Sequence, residues 1–164
     1  MVLRYCKIIV VSSVALLFGL IGLNNLFNYS INFSFIEHVL SMDTLRRTGV
    51  DGAQWRAVHS ALVYHFVYCF IIAIEVTVAL LCLFGAARLY KNRRAPSAQF
   101  VKAKSWAVLG LTIGFVLFVT GFITVGGEWF YLWLAPAPWS GALNAATRLI
   151  VVDSTALVFL ALPD

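Results

Sequence analysis

Charge is what this sequence has least of. Only 12% of its 164 residues are Asp, Glu, Lys or Arg, and just seven are acidic, about half the charged share of a soluble domain. With 62% hydrophobic residues and a mean hydropathy of +0.90, an ordinary water-solvated globular domain is excluded. Proline is nearly as scarce. Pro96, Pro136, Pro138 and Pro163 all fall outside the long apolar runs, so nothing in those runs forbids an unbroken helix. The three cysteines supply no disulfide framework or zinc set: Cys6 lies near the charged amino-terminal end, and Cys69 and Cys82 are about 20 Å apart on one expected helix. Histidine is equally sparse. His59 and His65 are six residues apart, about 240° around a helix, and face away from each other, whereas a bis-histidine haem needs one ligand on each of two helices. No metal and no cofactor is therefore expected, haem and quinone being the candidates that burial in a membrane leaves open. No nucleophile and base, phosphate-cradling glycine loop or His-Glu-x-x-His helix is present, so the chain reads as a non-enzyme.

What the sequence does have is long hydrophobic runs. Residues 8–27, 61–89, 106–125 and 142–162 each reach the roughly 20 residues a helix needs to cross the hydrocarbon core. In lipid each must be helical, because no water is there to satisfy the backbone. Arg4 and Lys7 before the first run suggest a secretory signal, but no small-x-small cleavage site follows, so the run is read as an uncleaved first span. Arg88 at the end of the second run, and Lys91, Arg93, Arg94, Lys102 and Lys104 in the connection at 90–105, form a basic group between the second and third spans. They lie on the same side as Arg4 and Lys7, and the positive-inside rule makes that side cytoplasmic. The net charge of +5 thus sets orientation against anionic lipid, and no nucleic-acid partner is expected.

The two outer segments, 28–60 and 126–141, are richer than plain loops. Ser34-Phe35-Ile36-Glu37 matches a capping box, and Phe35, Val39 and Met42 follow at helical spacing, which predicts a short amphipathic helix on the outer membrane surface. Asp51-Gly52-Ala53-Gln54 is a second helix start. It predicts that the second span begins as a water-exposed helix carrying Trp55, Arg56 and His59, the longest in the protein. Trp129, Tyr131, Trp133 and Trp139 form an aromatic belt at headgroup level, where an apolar ring with a polar tip is at home.

Phe35-Ile36-Glu37-His38-Val39-Leu40-Ser41-Met42-Asp43-Thr44, Trp55-Arg56-Ala57-Val58, the intramembrane Glu75, and Gly126-Gly127-Glu128-Trp129-Phe130 running on to Trp139 and Arg148 together carry a resemblance. In these residues the sequence resembles a bacterial family described only as predicted small integral membrane proteins of unknown function. The matching stretches cover nearly the whole chain. Where the family pattern has glutamine after Trp133 and an Asn-Gly-Gln run after Trp139, this chain has Leu134, Ser140, Gly141 and Ala142. The resemblance implies a membrane fold and carries no activity.

The polar residues inside the runs are the candidate functional groups. Tyr64, Tyr68 and Glu75 fall within about 40° of one another on a helical wheel and make a polar seam facing the bundle, with His65 beside them. The seam suits a proton, cation or ligand site, or an ordinary interhelical hydrogen bond. Asp153 is expected at a depth similar to Glu75, where two carboxylates can share a proton. Glu128 and Arg148 are expected near the outer surface, either as an ion pair or with Arg148 reaching to the headgroups. Gly110, Gly114 and Gly121 make a small-residue face for close packing.

The expected fold is an all-α integral membrane bundle, one domain over 1–164. It has four transmembrane helices, both termini cytoplasmic and a short interfacial helix outside, in a bacterial inner membrane. The first functional expectation is an accessory or interaction subunit of a larger membrane complex. It would engage another membrane protein, or a second copy, through His38, Met42, Trp55, Trp129, Trp133 and Trp139 on the outer surface. The alternatives are a small proton- or ion-conducting bundle built on Glu75 and Asp153, and an immunity protein against a pore-forming toxin.

Overall fold

The computed structural model describes residues 1–45 and 51–163, and every regular element among them is helical. The chain runs through α1 (Val2–Phe27), α2 (Tyr29–Ser41), α3 (Ala61–Lys91), α4 (Ser97–Ala103), α5 (Ser105–Val116), a π-helical segment (Leu117–Trp129) and α6 (Gly141–Ala161). Short 3-10 turns at Asp43–Leu45, Asp51–Arg56 and Leu132–Leu134 join them. Residues 97–129 form one rod, so four helices are long and apolar enough to cross a membrane.

The neighbours in sequence are neighbours in space. α1 packs along α3, α3 along α5, and α5 with the π-helical segment along α6, while α6 returns to α1 over a smaller contact. Glycine sets the spacing between α3 and α5. A methyl group on Gly85 would lie 2.8 Å from the Ala107 Cα, and one on Gly110 would lie 2.9 Å from Cys82 Sγ. Backbones this close are held by dispersion, because lipid is as apolar as the side chains and gives helices no hydrophobic reason to associate. Around this contact the bundle core collects Val11, Phe18, Val78, Cys82, Leu89, Phe100, Leu111 and Leu160, all buried.

One end of the bundle, which we call the inner end, is tied by cations. Lys7 Nζ donates to the Leu162 carbonyl, and Lys104 Nζ donates to the same oxygen at 3.3 Å, so two ammonium groups cap the carboxyl end of α6. That is where the helix dipole favours positive charge. Arg4 donates to the Arg93 and Ala95 carbonyls at 3.1 and 2.6 Å and sits over the Phe100 ring. Both ends of the described chain and the turn at 92–96 therefore share one end of the bundle.

The opposite end, which we call the outer end, is a second structure resting on the first. With Lys7 and Leu162 as a common level and 1.5 Å per residue, α1 and α6 end or begin about 30 Å away, whereas α3 runs about 12 Å further. α2 packs on this protruding stretch. Leu40, Met42, Leu45, Ala53, Tyr64, Phe130, Leu132 and Ala135 form a separate apolar cluster there, which we call the outer cap.

Three details differ from the sequence reading. α2 begins at Tyr29, five residues before the capping box, and Ser34 Oγ donates backwards to the Ile31 carbonyl at 2.8 Å instead of capping. The turn at Asn28 lets α1 hand over directly to α2, which leaves the box inside a helix already formed. The Asp51 start yields only the 3-10 turn to Arg56. Residues 57–60 then leave helical geometry to deliver Val58 N–H to the Leu40 carbonyl at 2.8 Å, so α3 is not extended outward by this segment. Gly121 is exposed and does not continue the face of Gly110 and Gly114, because the wider π turns rotate later residues off that face.

The Gly85 contact is expected to be the least tolerant point of the bundle. Gly85→Ala should lower stability by about 1–3 kcal/mol through overpacking against backbone, whereas Gly52→Ala, with nothing within 4 Å, should leave it unchanged. Thermal unfolding in detergent compares the two, and equal midpoints would contradict the packing argument.

Candidate functional site

Glu75 is 3% exposed and faces α1, where Asn25 Nδ2 donates to its Oε2 at 2.6 Å. Asn32 Nδ2 donates in turn to Asn25 Oδ1 at 2.6 Å, and Tyr68 OH donates to the Asn25 backbone oxygen at 3.2 Å. Asn25 occupies the last turn of α1, Asn32 the first turns of α2, and Tyr68 and Glu75 lie two turns apart on α3. The two amide N–H groups point down this relay from Asn32 through Asn25 to the carboxylate, and the Tyr68 hydroxyl holds Asn25 from the side through its backbone oxygen. Glu75 Oε1 accepts no hydrogen bond among the described residues.

The relay forms one wall of a cavity of about 540 Å³, within the range of small-molecule sites. It lies between the bundle core and the outer cap, where α6 stands away from α1. Phe118 and Phe122 line it from the π-helical segment, Phe35 and Ile36 from α2, and Ala142, Ala145, Ala146 and Arg148 from α6. The alanines make the room: on that face α6 presents a methyl group where a larger side chain would close the gap. Asn32, Gly141 and Arg148 are the exposed lining residues and mark its mouth.

The remaining candidates separate into different places. Asp153 is fully buried, but against Gly114, where a methyl group would lie 2.5 Å from its Oδ2 and 2.9 Å from the Phe18 ring. Neither of its oxygens has a partner among the described residues. It lies about 14 Å from the Leu162 level and Glu75, beside Gly22, about 22 Å, so the two carboxylates do not share a proton. Tyr64 belongs to the outer cap and donates to the Val58 carbonyl at 2.6 Å. His65 is exposed on α3 beside the Tyr68 face, its ring stacked on Phe33 at 4.2 Å and its Nδ1 2.8 Å from Tyr29 OH. Glu128 and Arg148 are both exposed and form no ion pair among the described residues. Arg148 sits about 21 Å from the Leu162 level, so it lines the cavity at the depth of Glu75, not at the outer surface.

On the outer cap, Trp55, Trp129 and Trp133 are exposed. They are not loose: the Arg56 guanidinium lies 4.7 Å from the Trp129 ring centre, 5.3 Å from Trp55 and 5.1 Å from Tyr131, and it donates to the Trp129 carbonyl at 3.2 Å. His38 pairs with Asp43, its Nδ1 2.8 Å from Oδ2, and packs on Trp139 at 4.3 Å. Met42 is fully buried in the cap, with a left-handed backbone (φ 52°) closing α2. It therefore contributes packing and no outer contact surface, contrary to expectation.

The family described as "Predicted small integral membrane protein (DUF2165)" matches residues 3–163. The chain belongs to this family. Among curated proteins and among solved structures nothing matches it. For this DUF2165 protein the four membrane-crossing helices agree with the family description, and no described group of three or more His, Cys, Asp or Glu is placed to hold a metal ion.

Sequence reasoning singled out Glu75 and Tyr68 and missed their partners. Asn25 and Asn32 read as the polar end of a span and part of an outer segment, and only the turn at Asn28 brings them together. Asn25→Ala should cost about 1 kcal/mol, the scale of an interhelical hydrogen bond in a membrane, because it strips Glu75 of its donor. Glu75→Gln retains an amide oxygen for Asn25 and should stay near the wild-type midpoint. Chemical unfolding in mixed micelles measures both, and an Asn25→Ala value equal to wild type would show that the relay contributes nothing.

Proposed function

We propose that this protein is a non-enzymatic accessory subunit of a larger assembly in a bacterial inner membrane, with both termini in the cytoplasm. It engages its partner through the outer cap. The observation that carries this reading is the cluster of Trp55, Trp129 and Tyr131 fixed around Arg56. Three large rings held by one cation at the outer end form a rigid surface, with Trp55 72% exposed. Tryptophan, tyrosine and arginine are the residues that concentrate binding energy in protein interfaces, since they bring area with little side-chain freedom to lose. The same rings also suit lipid headgroups, but lipid contact alone does not call for Arg56 to order them. The orientation rests on the basic residues gathered at the inner end.

Conduction through the membrane has less support. Glu75 and Asp153 hydrogen-bond to nothing in common, and Phe18 and the Gly114 backbone stand beside Asp153 where a polar path would run.

Site-specific photocrosslinking in cells tests the proposal. A photoreactive residue at Trp55 or Trp133 is expected to capture one larger membrane protein, and one at the lipid-facing Leu80 is not. Arg56→Ala, which releases the rings, should reduce capture at position 133 severalfold while leaving the protein in the membrane. Capture of lipid alone at all three positions would overturn the accessory reading.

A further inference from the structure

Glu75 and Arg148 are an acid and a base that line one cavity at one depth and do not meet. A buried carboxylate and a guanidinium each carry a large desolvation cost in an apolar setting, and the usual remedy is to pair them. Here Glu75 Oε1 is left without a partner, and Arg148 has none among the described residues. They come from α3 and α6, and both line the cavity of about 540 Å³. Apart from the relay residues Asn25, Asn32 and Tyr68, the lining includes Phe118, Phe122 and the alanine face of α6, which offer no side-chain polar group.

From this arrangement we infer that the cavity binds a zwitterion, with its ammonium at Glu75 and its oxyanion at Arg148. An ammonium presents three donors to the free carboxylate oxygen, and a guanidinium presents a planar fork that matches a phosphate or carboxylate. One molecule with both groups satisfies both residues, whereas a simple cation or a simple anion leaves the other charge uncompensated. Two sources share this chemistry. One is the headgroup of an ethanolamine phospholipid entering from the outer leaflet with its chains outside, and the other is a free amino acid arriving through the mouth at Asn32. The inference concerns the interior of the bundle, so its failure leaves the outer-cap reading standing.

The test is saturable thermal stabilisation of the full-length protein, in two arms. In one, nanodiscs of phosphatidylglycerol receive increasing phosphatidylethanolamine; in the other, delipidated protein in detergent is titrated with L-leucine or with O-phosphoethanolamine. At least one arm is expected to raise the unfolding midpoint to a plateau. Response in the lipid arm alone assigns a headgroup site, and response in the soluble arm alone assigns a free solute. Glu75→Gln and Arg148→Gln should each weaken half-saturation by about tenfold or more. Should either variant fail to fold, Ala145→Phe fills the cavity without touching a charge and is expected to abolish the plateau. No plateau in either arm, or a plateau undiminished in the folded variants, overturns the inference.

Discussion

The close approach of α3 and α5 at Gly85 and Gly110 is the constraint from which the other features follow. In lipid, two helices gain by touching only where their surfaces fit, and glycine allows backbone to meet backbone. The inner half of this bundle is fixed by that contact and by the lysines that cap α6. Further out, α1 stays on α3 as far as Asn25 and Tyr68, and the π-helical segment stays on α6 at Gly127 and Leu143, but α1 and α6 share only a small contact. The alanine face of α6 does not fill the space that this leaves, and the space is the cavity beneath the outer cap. Tight packing at one end and open space at the other are thus two aspects of one geometry.

The outer cap answers a different problem. α3 outruns α1 and α6, so its first turns would stand bare above the bundle. α2 covers them, Met42 turns the chain back under a left-handed backbone, and Tyr64 holds the returning strand of chain at Val58. Because α2 leaves α1 directly through Asn28, the cap is coupled to the bundle at the point where Asn25 meets Glu75. The relay of Asn32, Asn25 and Glu75 is therefore also the joint between the two structures.

Much of the fold was legible because hydropathy is read over whole runs. Four spans, their order and the grouping of basic residues at one end all emerge from the distribution of Lys, Arg and apolar residues. Glu75 and Tyr68 were legible too, since a period of 3.6 residues places them on one face. The partners were not. Asn25 and Asn32 lie on separate helices, and their meeting depends on a single turn that no periodicity reports. Arg148 was misjudged because its distance from a loop says little about depth when the neighbouring helices have different lengths. The capping box at Ser34 failed for a related reason: a helix already running from Tyr29 leaves no end for the box to cap. Gly121 misled because wheel arithmetic assumes α geometry, and the chain turns π-helical at Leu117.

The contact of Lys7 with the Leu162 carbonyl spans 155 positions of sequence, and that has a consequence for the order of assembly. Chains emerge amino end first, so α1 and α3 can meet while α6 is still unmade, and the ring of rods closes only once α6 has joined it. Until then the space beside Asn25 and Glu75 is a groove open to the bilayer along its full height. The arrival of α6 turns this groove into a chamber, so a lipid-borne occupant, if the chamber takes one, would find an entrance during synthesis wider than any the finished bundle offers.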